Sequence, residues 1–331
     1  MATIHETLRD CQAHAQRHGG RRRRCSVCGR TWTVHQRQRG RPRLRTDRSL
    51  PAKLLLKKQP AAVLADQRHC SKSTFYRRAR TAFDRMAAEP CWPTLPETEN
   101  YILMADGLWF GFKGSAAVMY NFLLRPVCSN QAYPLSPVML PGKEYEHTWR
   151  LAINQVIAAS WQNRIRALVA DGFIGAGPIA AERNWVYQRC HWHLLSSLEG
   201  MSGRRCRQTH GRIIREAIIR LVREVMETRD EQRVPLLCSQ LRELAQDEFL
   251  RNRRIRYKVS NLLKDIDCLR AYIRHPELRL PTTTGTVESL HALIRPAVRC
   301  VNRPEAALAR TRCLVRLHQT ITCNEHENPQ N

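Results

Sequence analysis

The stretches YILMADG (101–107) and IRALVADG (165–172) decide the fold. Each is a short, β-rich apolar run that reads as a buried strand, Tyr101 to Ala105 and Ile165 to Ala170, and each ends at an Asp-Gly. Between them, 116–127 and 132–140 read as two more strands joined by a turn at Ser129-Asn130. Trp149, Ile153, Val156 and Ile157 carry helical spacing over 144–160. Beyond them, 175–183 reads as a helix and 185–190 as a fifth strand.

The order β-β-β-α-β-α-β is the plan of an α/β, RNase H-like fold, in which strands one and four lie side by side. That adjacency makes the two acids informative. Asp106 and Asp171 then project from matching strand ends, where their like charges repel unless divalent cations sit between them. A pair of Mg²⁺ or Mn²⁺ ions in such a place activates water on one side of a phosphodiester and stabilises the leaving oxygen on the other. An Asp-Gly by itself is also a common turn dipeptide.

A third acid is expected on a later helix. TTTGTVESLHALIR (282–295) offers threonine N-caps and then Glu288 in the first turns, although Thr-x-x-Glu is equally the opening of a solvent-facing capping box. The 117 positions from Asp171 to Glu288 exceed what the core needs. Ile213, Ile214, Ala217, Ile218, Leu221, Val222, Val225 and Met226 recur at helical spacing, and Leu236, Leu237, Leu241, Leu244 and Phe249 continue the pattern. An all-helical insertion over 195–280 is the simplest account. Its basic stretch from Arg251 to Lys258 reads as a holder of flanking DNA or as a solvated face.

Charge is concentrated at the front. The chain of 331 residues carries 55 Lys and Arg against 29 Asp and Glu, a net of +26, and 22 of the cations against six acids fall in 1–90. Arg21, Arg22, Arg23 and Arg24 form one block; Arg37, Arg39, Arg41, Arg43, Arg45 and Arg48 recur at nearly every second position. Such an arm suits a phosphate ladder, or else forms a solvated basic tail or nonspecific RNA-binding arm. Cys25 and Cys28 make a C-x2-C followed by Gly29, and with the C-x2-H of Cys11 and His14 they read as a short zinc ribbon, His18 being a substitute ligand. The alternative is a lone C-x2-C in a turn. Residues 50–86 carry three short apolar stripes: Leu50, Leu54 and Leu55; Val63 and Leu64; Phe75, Tyr76, Ala79 and Phe83. They read as a helix-turn-helix whose last helix, capped at Ser71, presents Lys72, Arg77, Arg78 and Arg80 to the major groove, or as a plain trihelical bundle. Pro90, Pro93 and Pro96 mark a linker.

The set ADG (105–107), ADG (170–172), QRCHWH (188–193) and TTTGTVESLHALIR (282–295) resembles the DDE transposases of bacterial insertion sequences, of the Mutator-like kind. The resemblance covers roughly 100–310. It implies metal-dependent DNA cleavage and joining with Asp106, Asp171 and Glu288 as metal-binding triad, on terminal inverted repeats and target DNA, by a homo-oligomer in a synaptic complex. By the same resemblance, Cys190 and His193 shape the region beside the active site or also ligate a metal; a structural or DNA-end-positioning role is favoured over a zinc site, which two ligands do not make and to which Cys206 and His210 are the available additions. Trp192 between them either stacks on a flipped base or packs in a core. The expected organisation is zinc ribbon and basic arm over 1–48, helix-turn-helix over 49–90, core over 98–194, insertion over 195–280 and the last core helices over 281–331. A DNA-binding protein or inactivated remnant without catalysis is the alternative; a nuclease of the same fold would cleave without joining. Thirteen cysteines at scattered spacing fit reduced thiols in a cytoplasm, and neither a membrane span nor a secretory leader is expected.

Overall fold

The computed structural model describes residues 11, 15–17, 22–33, 47–89, 92–93, 95, 100–200, 209–247, 250 and 253–322. Two compact units divide the chain, Met1–Asp47 and Arg48–Asn331. The first holds an antiparallel sheet in the order β1 (Ala15–Arg17), β2 (Arg22–Cys25) and β3 (Thr31–Thr33). The turn after β2 accepts Gly29 with φ +73°, in the region that only glycine enters without strain, and closes with the Gly29 amide on the Cys25 carbonyl.

The second unit opens with three helices, α1 (Leu50–Leu55), α2 (Ala61–Asp66) and α3 (Lys72–Ala88). Ser71 caps α3 as expected, its hydroxyl accepting from the Thr74 amide at 3.3 Å. Leu50, Leu64, Phe75, Ala79 and Phe83 form their shared core, whereas Val63 and Tyr76 face solvent, contrary to the stripe reading. Short helices expose one side of each stripe, so only part of each apolar set finds a partner.

Next come β4 (Tyr101–Phe112), β5 (Ser115–Pro126), β6 (Gln131–Pro134), β7 (Val138–Pro141), α4 (Glu146–Val156), α5 (Ala159–Gln162), β8 (Ile165–Ala170), α6 (Ala176–Glu182) and β9 (Val186–Arg189). The chain is a mixed α/β protein with a mixed sheet. β4 pairs antiparallel with β5 and parallel with β8; β8 pairs parallel with β9, and β6 and β7 both lie against β5.

Two expectations are corrected. The first strand does not stop at Asp106. Its register with β5 runs unbroken from Tyr101–Pro126 to Phe112–Ser115, so the β5 ladder carries β4 onward after β8 has ended at Ala170. The expected strand over 132–140 is two strands, because Pro134 and Pro137 lack the amide a continuous ladder needs.

Side chains alternate between faces along β4. Tyr101, Leu103 and Ala105 pack with Trp149, Ile153, Leu168 and Ile179 on one side. Ile102, Met104 and Leu108 pack on the other with Val287, Leu290 and Ile294. Asp106 shares the parity of the second set, which aims it at the helix that carries Glu288.

After β9 comes a helical segment: α7 (His191–Gly200), α8 (Thr209–Glu227), α9 (Arg233–Gln246), α10 (Arg253–Lys264), α11 (Ile266–Leu269) and α12 (Ala271–Arg274). Ile218, Val222, Val225, Leu237, Leu241, Val259 and Leu262 form its core. Ile213 and Leu236, also expected inside, are exposed at the edge of their helices' apolar stripes; Phe249 lies outside the described residues. Arg270, wholly buried, donates to the Val225 carbonyl at 2.5 Å and pairs with Glu231 at 2.6 Å. It is a charge made tolerable by partners at both ends. The chain closes with α13 (Gly285–Val298), α14 (Pro304–Leu317) and β10 (Ile321–Thr322). Cys313 of α14 sits in the core of α1–α3, and Arg316 pairs with Glu89 at 2.7 Å. Among the described residues, no helix is long and apolar enough to cross a membrane.

Candidate metal centre

Asp106, mid-strand and buried, meets Glu288, in the first turn of α13, across two histidines. His193 Nε2 lies 3.9 Å from Asp106 Oδ2 and 3.5 Å from Glu288 Oε1. His291 Nδ1 lies 3.8 Å from Asp106 Oδ2 and 3.6 Å from Glu288 Oε2. The i, i+3 spacing of Glu288 and His291 places both on one face of α13, beside buried Val287 and Leu290. Glu288 thus turns toward the sheet and does not act as a solvent-facing capping-box residue.

Asp171 arrives by a different route. Ala105 and Ala170 are register partners, so Asp106 and Asp171 are the next residues on strands about 4.8 Å apart. Asp171 Oδ1 accepts from the Phe173 amide at 3.1 Å. The ligand atoms of Asp106, His193 and Glu288 all lie within 4.8 Å of one another; Asp171 is outside that set but close enough for its charge to act on Asp106.

The QRCHWH segment joins the sheet to the helical segment that follows it. Gln188 donates to the Leu269 carbonyl at 3.2 Å and accepts from the Tyr272 amide, while His191 bonds the Leu269 carbonyl through Nε2 at 2.7 Å. Burial pushes His191 down to about 4, so it is neutral. Cys190 is buried where β9 ends, with its amide on the Ala170 carbonyl. Its sulfur accepts from the Thr284 amide at 3.3 Å and hydroxyl at 3.5 Å and touches His193 Nδ1 at 3.3 Å. Thr284 occupies the N-cap position of α13 but turns its side chain to this sulfur, a departure from the capping expected of it; Thr283 Oγ1 takes the Gly285 amide instead. Trp192 is exposed, its ring edge-on to His193 at 4.8 Å.

Sequence reasoning missed three contributors. His291 is buried, and its Nε2 meets Asn121 Nδ2 at 3.1 Å. Asn121 is the register partner of Asp106, a relation set by the β4–β5 pairing. Glu144 holds a fourth carboxylate against Gly107, where a Cβ would come within 2.7 Å of it, and Trp149 Nε1 donates to it at 3.3 Å. No local signal marks Glu144 or Asn121; Glu-x-x-His on α13 is the one unused pattern that could have led to His291.

The charges are unbalanced without a cation. Burial, then Asp171 and Glu288, raise Asp106 from 3.8 to about 8. Burial also raises Asp171, and Glu144 too, where the Asp171 charge adds to it. Glu288 falls to about 2 because His291 bonds it and His193 and Arg295 attract its charge. Burial opposes charge on His193, but Cys190 and the two aspartates outweigh it and raise the imidazole to about 9. The Cys190 thiol is held below its ordinary value by His193 despite burial. This donor set fits a divalent cation.

No family model and no curated protein matches the chain.

The first unit holds a second candidate centre. Cys11, Cys25 and Cys28 place their sulfurs within 4.8 Å of one another, with Cys11 and Cys28 at 3.6 Å. Burial and then the Cys28 thiol raise Cys11 to about 11, as expected of thiols gathered without a countercharge. His14, His18 and Cys206 lie outside the described residues, as do Arg21, Arg41, Arg43 and Arg45. Arg22 and Arg24 are exposed and Arg23 half-buried on β2; Lys72 and Arg77 are exposed and Arg78 half-buried on α3.

Proposed function

We propose that the chain is a DDE-type transposase, an RNase H-like core that binds the ends of a mobile DNA element and catalyses metal-dependent strand cleavage and transfer. What carries the reading is the matched pair Ala105 and Ala170, which sets Asp106 and Asp171 side by side on parallel strands while α13 brings Glu288 to the same edge. The strand order, with β5 between β4 and the β6–β7 pair and with β8 and β9 on the other side, supports it.

Asp106, Asp171 and Glu288 would hold Mg²⁺ or Mn²⁺. Bound divalent cations supply the Lewis acidity that makes water or a 3′-hydroxyl a nucleophile and steadies the leaving oxygen. The protein holds the carboxylates on rigid elements: Asp106 through the two-sided ladder of β4, Glu288 through the buried face of α13. Cys190 and His193 keep the sheet end, the insertion and α13 in register. Lys72, Arg77, Arg78 and the arginines of the first unit would neutralise phosphates of double-stranded DNA, and Cys11, Cys25 and Cys28 with His14 would hold a structural Zn²⁺. The synaptic complex is a homo-oligomer in this reading.

The test uses the full chain and a plasmid carrying the DNA that flanks its own gene. Wild type is expected to cut at inverted repeats and join the ends to a target in Mg²⁺ or Mn²⁺. Asp106→Asn, Asp171→Asn and Glu288→Gln should each abolish cleavage while DNA binding persists. Cleavage that survives one substitution removes that residue from the triad. Binding without cleavage by the wild type leaves a DNA-binding protein without chemistry.

A further inference from the structure

Two histidines flank the same two carboxylates, and their other ring nitrogens have different partners. We infer that His193 Nε2 is itself a ligand of the cation held by Asp106 and Glu288, so that the centre selects Mn²⁺ over Mg²⁺. This rests on the reading above only in assigning a cation to Asp106 and Glu288.

The spacing fits one shared ion. Two atoms each bonded at about 2.1 Å to one cation are at most ~4.2 Å apart. The distances from His193 Nε2 to Asp106 Oδ2, 3.9 Å, and to Glu288 Oε1, 3.5 Å, both fall inside that limit.

The ring is also turned the right way. Thr284 directs its one hydroxyl hydrogen to Cys190, so its oxygen, 3.3 Å from His193 Nδ1, is left to accept. The Cys190 sulfur, already accepting from Thr284, is the other neighbour of Nδ1. Both neighbours can accept, so Nδ1 keeps a ring proton and Nε2 is the nitrogen turned to the acids, open to a cation that displaces its proton. A metal-bound histidine is oriented in this way by the partner of its other nitrogen.

His291 is arranged the opposite way. Asn121 Nδ2 donates to the Met119 carbonyl at 3.0 Å and contacts His291 Nε2 at 3.1 Å, which makes Nε2 an acceptor and leaves the proton on Nδ1. That N–H faces Asp106 at 3.8 Å and Glu288 at 3.6 Å, so His291 offers the site no lone pair and His193 is the ligand. Mg²⁺ takes oxygen ligands almost exclusively, whereas imidazole suits first-row transition metals.

The experiment is Mn²⁺ titration of the full-length protein, with zinc supplied beforehand for the cysteines, followed by electron paramagnetic resonance and Mg²⁺ competition. Bound Mn²⁺ should show imidazole nitrogen coupling that changes on ¹⁵N-histidine labelling, and should bind roughly tenfold or more tighter than Mg²⁺. His193→Gln should remove the coupling and most of the preference; His291→Gln should keep the coupling. Mn²⁺ bound without nitrogen coupling, no bound Mn²⁺, or coupling lost in His291→Gln but kept in His193→Gln would each overturn the inference. Coupling in a protein that cuts no DNA sinks the transposase reading and leaves this centre standing; cleavage without coupling does the reverse.

Discussion

Asn121 and His291, 170 residues apart in the chain, meet side chain to side chain at 3.1 Å beneath the carboxylates of Asp106 and Glu288. The contact ties the central hairpin of the sheet to α13. It also fixes which nitrogen of a buried imidazole carries its proton, because Asn121 Nδ2 is the donor on this side.

Replacing that donor by an acceptor should therefore harm the site more than shrinking it. Asn121→Asp draws a proton to His291 Nε2, so that the ring either turns a lone pair toward two acids or becomes an imidazolium beside the cation. Divalent-cation affinity, measured by calorimetry, should fall about 10- to 100-fold, as for other partners that orient metal ligands. Asn121→Ala should lose less. Equal affinities in the wild type and Asn121→Asp would refute the tautomer assignment.

Asp106 and His193 are both raised, to about 8 and about 9. A group whose folded value is raised contributes stability that is complete below its unfolded value and is lost as pH climbs through the folded one. Metal-free protein should accordingly lose thermal stability as pH rises from about 4 to 9, Asp106 acting over the lower part of that range and His193 over the upper. The lowered Glu288 acts only in acid, its contribution lost as pH falls toward about 2. Melting curves in chelator check this: Asp106→Asn should flatten the slope below pH 8, and divalent cations should restore stability most at high pH, where they no longer compete with protons.

Gly107 leaves room for Glu144. In Gly107→Ala the new methyl would lie 2.7 Å from Glu144 Oε1 and 2.8 Å from its Cδ. The carboxylate must move off its bond to Trp149, at a cost of about 1–3 kcal/mol in urea unfolding. In a Glu144→Ala background the same substitution should cost little. Equal costs in both backgrounds would show that the clash is relieved elsewhere.

The first unit should carry zinc. Elemental analysis of the purified chain is expected to find one Zn²⁺, and Cys11→Ser, Cys25→Ser and Cys28→Ser should each lower it, since thiolates are its strongest protein ligands. Zinc content unchanged in all three variants would remove the ribbon reading.

The strand Ile165–Ala170 and the three helices after Leu50 were legible because local pattern and tertiary demand agree there: an apolar run between breakers, and an N-cap serine before an apolar stripe. Asp106-Gly107 misled because an Asp-Gly pair signals a turn only when no neighbour supplies a ladder, and β5 supplies one to Phe112. Ile213 and Leu236 were misplaced because helical periodicity defines a stripe but not how much of it a neighbour covers.

Sequence by itself determined the alternation of strands and helices, the acids at 106, 171 and 288, the C-x2-H at 190–193 and the basic front, because these depend on residue type and short-range spacing. Tertiary structure alone decided that His193 and His291 bracket Asp106 and Glu288, that Asn121 orients one of them and Cys190 with Thr284 the other, and that Glu144 lies on Gly107. Those contacts join residues brought together by strand register and helix rotation. Neither quantity is written in local pattern, since a shift of one residue in a strand reverses its faces and a turn of about 100° per residue redirects a helical side chain.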